Sequence, residues 1–212
     1  KMRLKAKALL IKMLPHISEI VDVRTLAFIL LGLCQLKNLG WKQYTLQRQK
    51  MLDHALKTIL DEYKKNSNHE WHWIENALRY DNCRIPYALL KVAESFKKEE
   101  IRPVALQMLD FIIDNTFEFL PNHFRFIGNK GYMPKGGKKP LFDEQPIDAG
   151  STVQACHMAY KTTGINYYKQ MAYKAYGWFH GDNILRRPLF NLKRQSVYDG
   201  ITETGLSMNQ GA

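Results

Sequence analysis

The sequence predicts an all-α protein built from helical hairpins. Segments of about 10–20 residues with apolar positions three and four apart alternate with short polar turns. No stretch of comparable length alternates with period two, so no sheet of any size is expected. The punctuation agrees: Asp22, Gly40, Gly164 and Gly181 stand where caps and stops belong, and Pro86 and Pro103 where a first helical turn accepts proline.

Leu4, Leu9, Leu10 and Met13 outline a first helix, stopped near Pro15. A second runs from Asp22 as cap to Gly40, with Leu26, Ile29, Leu30 and Leu33 on more than one side, so it is expected to be buried on both flanks. The third carries Leu52, Leu56, Ile59, Leu60 and Tyr63 on one face and Lys57, Asp61, Glu62, Lys64 and Lys65 on the other. A polar loop over 64–68 follows.

Residues 71–90 are the stretch around which the chain is organised. A helix over its first half places Trp71, Ile74, Glu75 and Leu78 on one side, so a carboxylate interrupts an apolar stripe. Tyr80-Asp81-Asn82 breaks it, because Asp and Asn bond their own backbone. After Pro86 a new helix continues through Leu89, Ala93 and Phe96 to the charged turn 97–100, and Pro103 opens the next, with Val104, Met108, Phe111 and Ile112 aligned.

Eight prolines and glycines between 120 and 147 forbid regular helix there, while Phe124, Phe126, Tyr132 and Phe142 predict a packed loop. Helix resumes with Asp148 or Ser151 as cap and Val153, Cys156, His157 and Tyr160 on one side. It stops at Gly164, and another with Tyr168, Met171, Ala172, Ala175 and Phe179 stops at Gly181. The remainder reads as polar loop. The total is about eight helices, without a fixed-period repeat.

The 212 residues suit one domain, 1–212, and the start at Lys1 and stop at Ala212 are those expected of a piece of a longer chain. The longest apolar run, 26–34, falls well short of the roughly 20 residues of a membrane span, and no secretory signal opens the chain. Three scattered cysteines without metal-ligand spacing fit a reduced, cytoplasmic setting and argue against a disulfide framework or a zinc site. Of the net charge of +11, +8 lies in residues 1–65. Interleaved acids and the lack of Arg- or Gly-rich clustering make this a solvated face; a helical nucleic-acid binder is the less favoured reading.

Phosphate-loop, metalloprotease, zinc and nucleophile-elbow motifs are absent, so neither cofactor nor metal is expected. Gly136-Gly137 among Lys135, Lys138 and Lys139 is a flexible turn, and no histidine has a partner at triad or ligand spacing. Acids, amides and aromatics instead gather near helix ends. Glu75 and Asp81 are the candidate acid/base pair; Trp71, Trp73, Tyr80, Asn82, Asp143, Gln145, Trp178 and Asp199 are the candidate substrate-binding residues. Sugar rings need this mixture, because their C–H faces pack on aromatic rings and their hydroxyls bond carboxylates and amides. Cleavage of a glycosidic bond also needs two carboxyl groups across it.

Trp73-Ile74-Glu75, Tyr80-Asp81-Asn82 and Pro86, then Phe142-Asp143-Glu144-Gln145-Pro146-Ile147, Trp178-Phe179 with Gly181 and Asn183, Asp199-Gly200 and Asn209-Gln210-Gly211-Ala212 resemble the helical domain that follows some bacterial glycosyltransferases in one polypeptide. That domain is similar to the six-hairpin glycosidases. The resemblance implies an (α/α) toroid, possibly incomplete, with a carbohydrate cleft at one end, an oligosaccharide or glycan substrate and a covalently linked glycosyltransferase domain. It spans residues 71–212. The family pattern has Gln where Glu144 stands, so Glu144 is not carried over as catalytic, and the pattern continues into Glu-Ser where this chain ends. A non-catalytic glycan-binding or scaffolding domain beside a catalytic neighbour is the alternative.

Overall fold

Six α-helices dominate the computed structural model: α1 (Val23–Asn38), α2 (Thr45–Asn66), α3 (Arg84–Phe96), α4 (Arg102–Thr116), α5 (Pro146–Thr163) and α6 (Asn166–His180). It describes residues 5, 8, 9, 12–40, 42 and 44–209; Leu4 and Leu10 of the expected first helix, and Gln210, Gly211 and Ala212 of the last motif, lie outside them. Short 3₁₀ turns lie at Leu14–Glu19 and Glu99–Ile101; Leu9 and Met13 of the expected first helix are helical, so among the described residues the one expected helix that is missing is that over 71–78.

The caps explain several boundaries. Asp22 Oδ1 accepts the Thr25 N–H and the Thr25 hydroxyl, each at 2.7 Å, and these bonds hold its carboxyl below the usual range. Glycines 164 and 181 take left-handed conformations and end α5 and α6 as expected. The expected cap of α5 is corrected: the helix begins at Pro146, whose fixed φ and missing N–H suit a first position, so Asp148 sits inside the first turn and is buried.

α1 packs on both α2 and α3, as its two apolar flanks predict, and α3 packs in turn on α5. α1, α3 and α5 thus form an inner row. α2, α4 and α6 each pack on their preceding partner from outside. This is the all-α, (α/α)-toroid arrangement of hairpins. One apolar cluster runs through all six helices and takes in Phe124, Phe126, Leu189 and Ile201 from the loops.

The expected helix over 71–78 does not form. Residues 71–76 are irregular, and β1 (Ala77–Leu78) pairs antiparallel with β4 (Met133–Pro134). The backbone groups find other partners: the Ile74 carbonyl accepts Asn66 Nδ2 at 2.8 Å, and the Glu75 and Ala77 carbonyls accept the indole N–H groups of Trp71 and Trp73 at 2.8 and 3.1 Å. These side-chain bonds, four to eight residues apart, and burial of both indoles override the local helical pattern.

The 120–147 loop is packed, as its aromatics predict. β2 (Phe117–Glu118) pairs with β3 (His123–Phe124), Phe124 stacks on Phe126 at 5.2 Å, and Phe126 meets the edge of Trp178 at 5.7 Å. Gly128 is required here, since a Cβ would overlap the Phe142 carbonyl oxygen. Beyond α6, β5 (Phe190–Asn191) pairs with β6 (Ser196–Val197), and β7 (Ile201–Thr202) with β8 (Gly205–Leu206).

Candidate functional site

The N-terminal ends of α1, α3 and α5 meet at one end of the inner row, and side chains tie them together. Arg24, in the first turn of α1, donates from Nε to the Tyr80 carbonyl (2.9 Å), from Nη1 to Glu75 Oε2 (2.6 Å) and from Nη2 to Asn82 Oδ1 (3.2 Å). The Asp81 N–H donates to Asp148 Oδ1, in the first turn of α5, at 2.8 Å. Just before α5, Glu144 Oε2 accepts Trp178 Nε1 at 2.9 Å and the Phe126 N–H at 3.1 Å, while the Glu144 backbone pairs with that of Ile201. Three loops, 71–82, 120–145 and 182–209, therefore close over the same end.

Two kinds of carboxyl result. Glu75 keeps 22% of its side chain in water and faces Arg24, itself 8% exposed, with Arg79 at 3.8 Å from its second oxygen. Asp81, Glu144 and Asp148 are buried. Burial raises Asp81 even though Arg84 Nε lies 3.1 Å from its Oδ2. Burial and then the Asp81 charge push Asp148 well up. Burial pushes Glu144 up to about 7 against the bonds from Trp178 and Phe126. One oxygen of each, Asp81 Oδ1, Asp148 Oδ2 and Glu144 Oε1, makes no hydrogen bond of ordinary geometry. Chemically, such an end offers a paired, solvent-reaching carboxylate beside carboxyls that favour the protonated form, which is the division of labour acid/base chemistry uses.

Asp81 sits in the left-handed region at φ +50°, uncommon for a residue other than glycine. Asn82 holds the turn: its side chain accepts the Arg79 N–H at 3.0 Å and donates to the Arg79 carbonyl at 3.1 Å. Burial pushes the Cys83 thiol, with the Thr152 hydroxyl 3.3 Å from its Sγ, up to about 12, which disfavours the thiolate.

Of the residues singled out in the sequence, Glu75, Tyr80, Asp81 and Asn82 are brought together by Arg24. Tyr80 is 43% exposed, with the Arg24 guanidinium 5.1 Å from its ring centre. Asp143 and Gln145 flank Glu144 and are half-buried, and Asp143 also takes a left-handed conformation. Asp199 bonds the Asn209 side chain, next to Gly200, where a Cβ would overlap the Glu144 carbonyl oxygen. Trp71, Trp73 and Trp178 are buried core residues whose indole N–H groups are all bonded, so none presents a ring face to solvent here.

Arg24, Glu144 and Asp148 organise this end although the sequence did not favour them. Arg24 carried one signal, an arginine set among Val23, Leu26 and Ala27 on a buried helix. For the burial of Glu144 and Asp148 no local signal existed. Among the described residues no group of three or more His, Cys, Asp or Glu side chains is arranged to hold a metal ion, and no helix is long and apolar enough to cross a membrane.

The helix pairing is an (α/α) arrangement of hairpins. Two solved structures share it. A glycoside hydrolase family 76 α-mannanase of Bacteroides thetaiotaomicron superposes with a TM-score of 0.60 at 11% identity, over 84% of this chain and 47% of that one. A family 76 mannosidase of the same organism superposes with a TM-score of 0.58 at 11% identity, over 90% of this chain and 50% of that one. The chain thus spans about half the length of each. No protein-family model and no curated protein sequence matches it.

Proposed function

We propose that the chain is a carbohydrate-processing domain of a glycosidase-like protein, acting on an α-mannoside or a similar glycan at the end where α1, α3 and α5 begin. One observation carries this reading: Glu75 combines a fixed guanidinium partner with access to solvent, beside the exposed Tyr80 ring and in an end rich in further carboxyls. In this reading Glu75 meets the glycan and Asp81, the second member of the pair, acts from the layer beneath. Asp143, Gln145 and Asp199 are rim ligands for hydroxyls. The (α/α) neighbours, a mannanase and a mannosidase, support the substrate class. A glycosyltransferase domain in the same polypeptide is part of the proposal.

The second reading is a glycan-binding module without turnover. What favours it is that Asp81 is 1% exposed and engaged by Arg84, which leaves Glu75 without a carboxylate partner in the open. Incubation with α-linked manno-oligosaccharides, followed by product analysis, separates the two. Catalysis predicts turnover that Glu75→Gln lowers by about 10²–10⁴-fold, the range of a general acid or base. Binding without turnover establishes the second reading, and neither binding nor turnover removes carbohydrate from both.

A further inference from the structure

We infer that a second glycan-binding groove runs along the outer flank of α4, beside the loops that close the end where the three inner helices begin. The inference rests on the carbohydrate reading given above. Two neighbouring depressions, of about 370 and 440 Å³, share Phe111 as a common wall. Each falls within the ~300–1,000 Å³ typical of ligand pockets.

The wall is built in advance. Asn68 Oδ1 accepts the N–H groups of Glu70 and Trp71 at 3.0 and 2.8 Å, which fixes the turn leading into residue 71. The Trp71 indole is then locked by its N–H on the Glu75 carbonyl at 2.8 Å. Its ring meets Phe111 edge to face at 5.0 Å, and His72 meets Phe111 at 6.2 Å with the rings perpendicular. Phe111 is thereby held in place by two aromatic neighbours while still lining both depressions.

Around this apolar centre the groove carries Glu70 and Asp114 at its exposed rims and Asn115 beside Phe111, with the Asn115 Nδ2 fixed on the Phe111 carbonyl at 2.8 Å. A pyranose chain matches this lining: ring C–H groups against Phe111, and hydroxyls donating to the two carboxylates and the Asn115 amide oxygen. The lining sets three carboxylates, Glu70, Asp110 and Asp114, against Lys135, a net negative charge that repels phosphates, so the ligand class is a neutral glycan and not nucleic acid in spite of the net charge of +11. Lys135 is held with its Nζ on the Asn66 carbonyl at 2.9 Å, and no arginine lines either depression.

Calorimetric titration of the chain with α-linked mannotriose tests the groove. Two binding events are expected, one weakened at least tenfold by Phe111→Ala and the other by Tyr80→Ala. Asp114→Lys, at an exposed position, is expected to weaken the Phe111-dependent event at least fivefold and keeps the test decisive should Phe111→Ala fail to fold. A single event untouched by Phe111→Ala and Asp114→Lys overturns the groove and leaves the carbohydrate reading intact. An event that responds to both substitutions while Tyr80→Ala changes nothing supports the groove and removes the role given to the helix-row end. Absence of any mannotriose binding overturns both.

Discussion

Arg24→Ala is expected to destabilise the protein by about 3 kcal/mol and to leave the 71–82 segment loosely held. One guanidinium serves three acceptors on that segment: Glu75 Oε2, the Tyr80 carbonyl and Asn82 Oδ1. Removing one partner of a buried ion pair costs ~3–5 kcal/mol, because the other is left charged and unpaired. The low end applies here, since 22% of the Glu75 side chain stays in water. For a chain of this size the loss corresponds to a fall in Tm of roughly 6–12 °C. Urea denaturation of the wild type, Arg24→Ala, Glu75→Gln and the double variant measures the coupling directly. The double variant should lose less than the sum of the singles, because Glu75→Gln removes the charge that Arg24→Ala strands. Strict additivity would show that the contact contributes nothing to the fold.

Glu144→Gln is expected to stabilise the protein at pH 8 and to change little at pH 4. The Glu144 carboxyl is raised to about 7 by burial, from an ordinary 4.5. The folded state therefore holds this proton where the unfolded state has released it. Its contribution is fully present below about pH 4.5 and is lost as pH rises through about 7, a difference worth roughly 3 kcal/mol. Gln stays neutral throughout. Its carbonyl can keep the bonds from Trp178 Nε1 and the Phe126 N–H, while its amide group, on the side where Oε1 makes no hydrogen bond, offsets part of the gain. Unfolding free energies from denaturant titrations between pH 4 and pH 8 should converge at the acid end and separate by up to about 3 kcal/mol at the alkaline end. Parallel curves would mean that Arg125 and Lys139, the cations acting on this carboxyl, keep it ionised in the folded protein.

The two substitutions probe different layers of one end. Arg24 sets where Glu75 stands and so acts on the residue proposed to meet the glycan. Glu144 ties the loop before α5 to Trp178 in α6 and to the β7–β8 hairpin. Loss of activity from Glu75→Gln without loss of stability would therefore speak for chemistry. A parallel loss of both would point back to the Arg24 contact.

Local signals were enough to place most of the helices. Asp22 caps α1 because its side chain reaches a backbone N–H three residues on; Gly164 and Gly181 end α5 and α6 because they adopt left-handed backbone; and the two apolar flanks of α1 foretold its contacts with α2 and α3. Local pattern also marked Glu75, an acid in an apolar stripe, as a residue needing a partner. Tertiary packing supplied that partner, since Arg24 lies 51 residues away in sequence. It also decided that 71–76 is not helix, because the carbonyls that helix would have used are taken by Asn66 and two indoles. The same holds for Glu144 and Asp148. Whether a carboxyl ends up in water or sealed beneath a loop depends on which segments pack over it, and here the covering segments, Trp178, Phe126 and Ile201, come from distant parts of the chain.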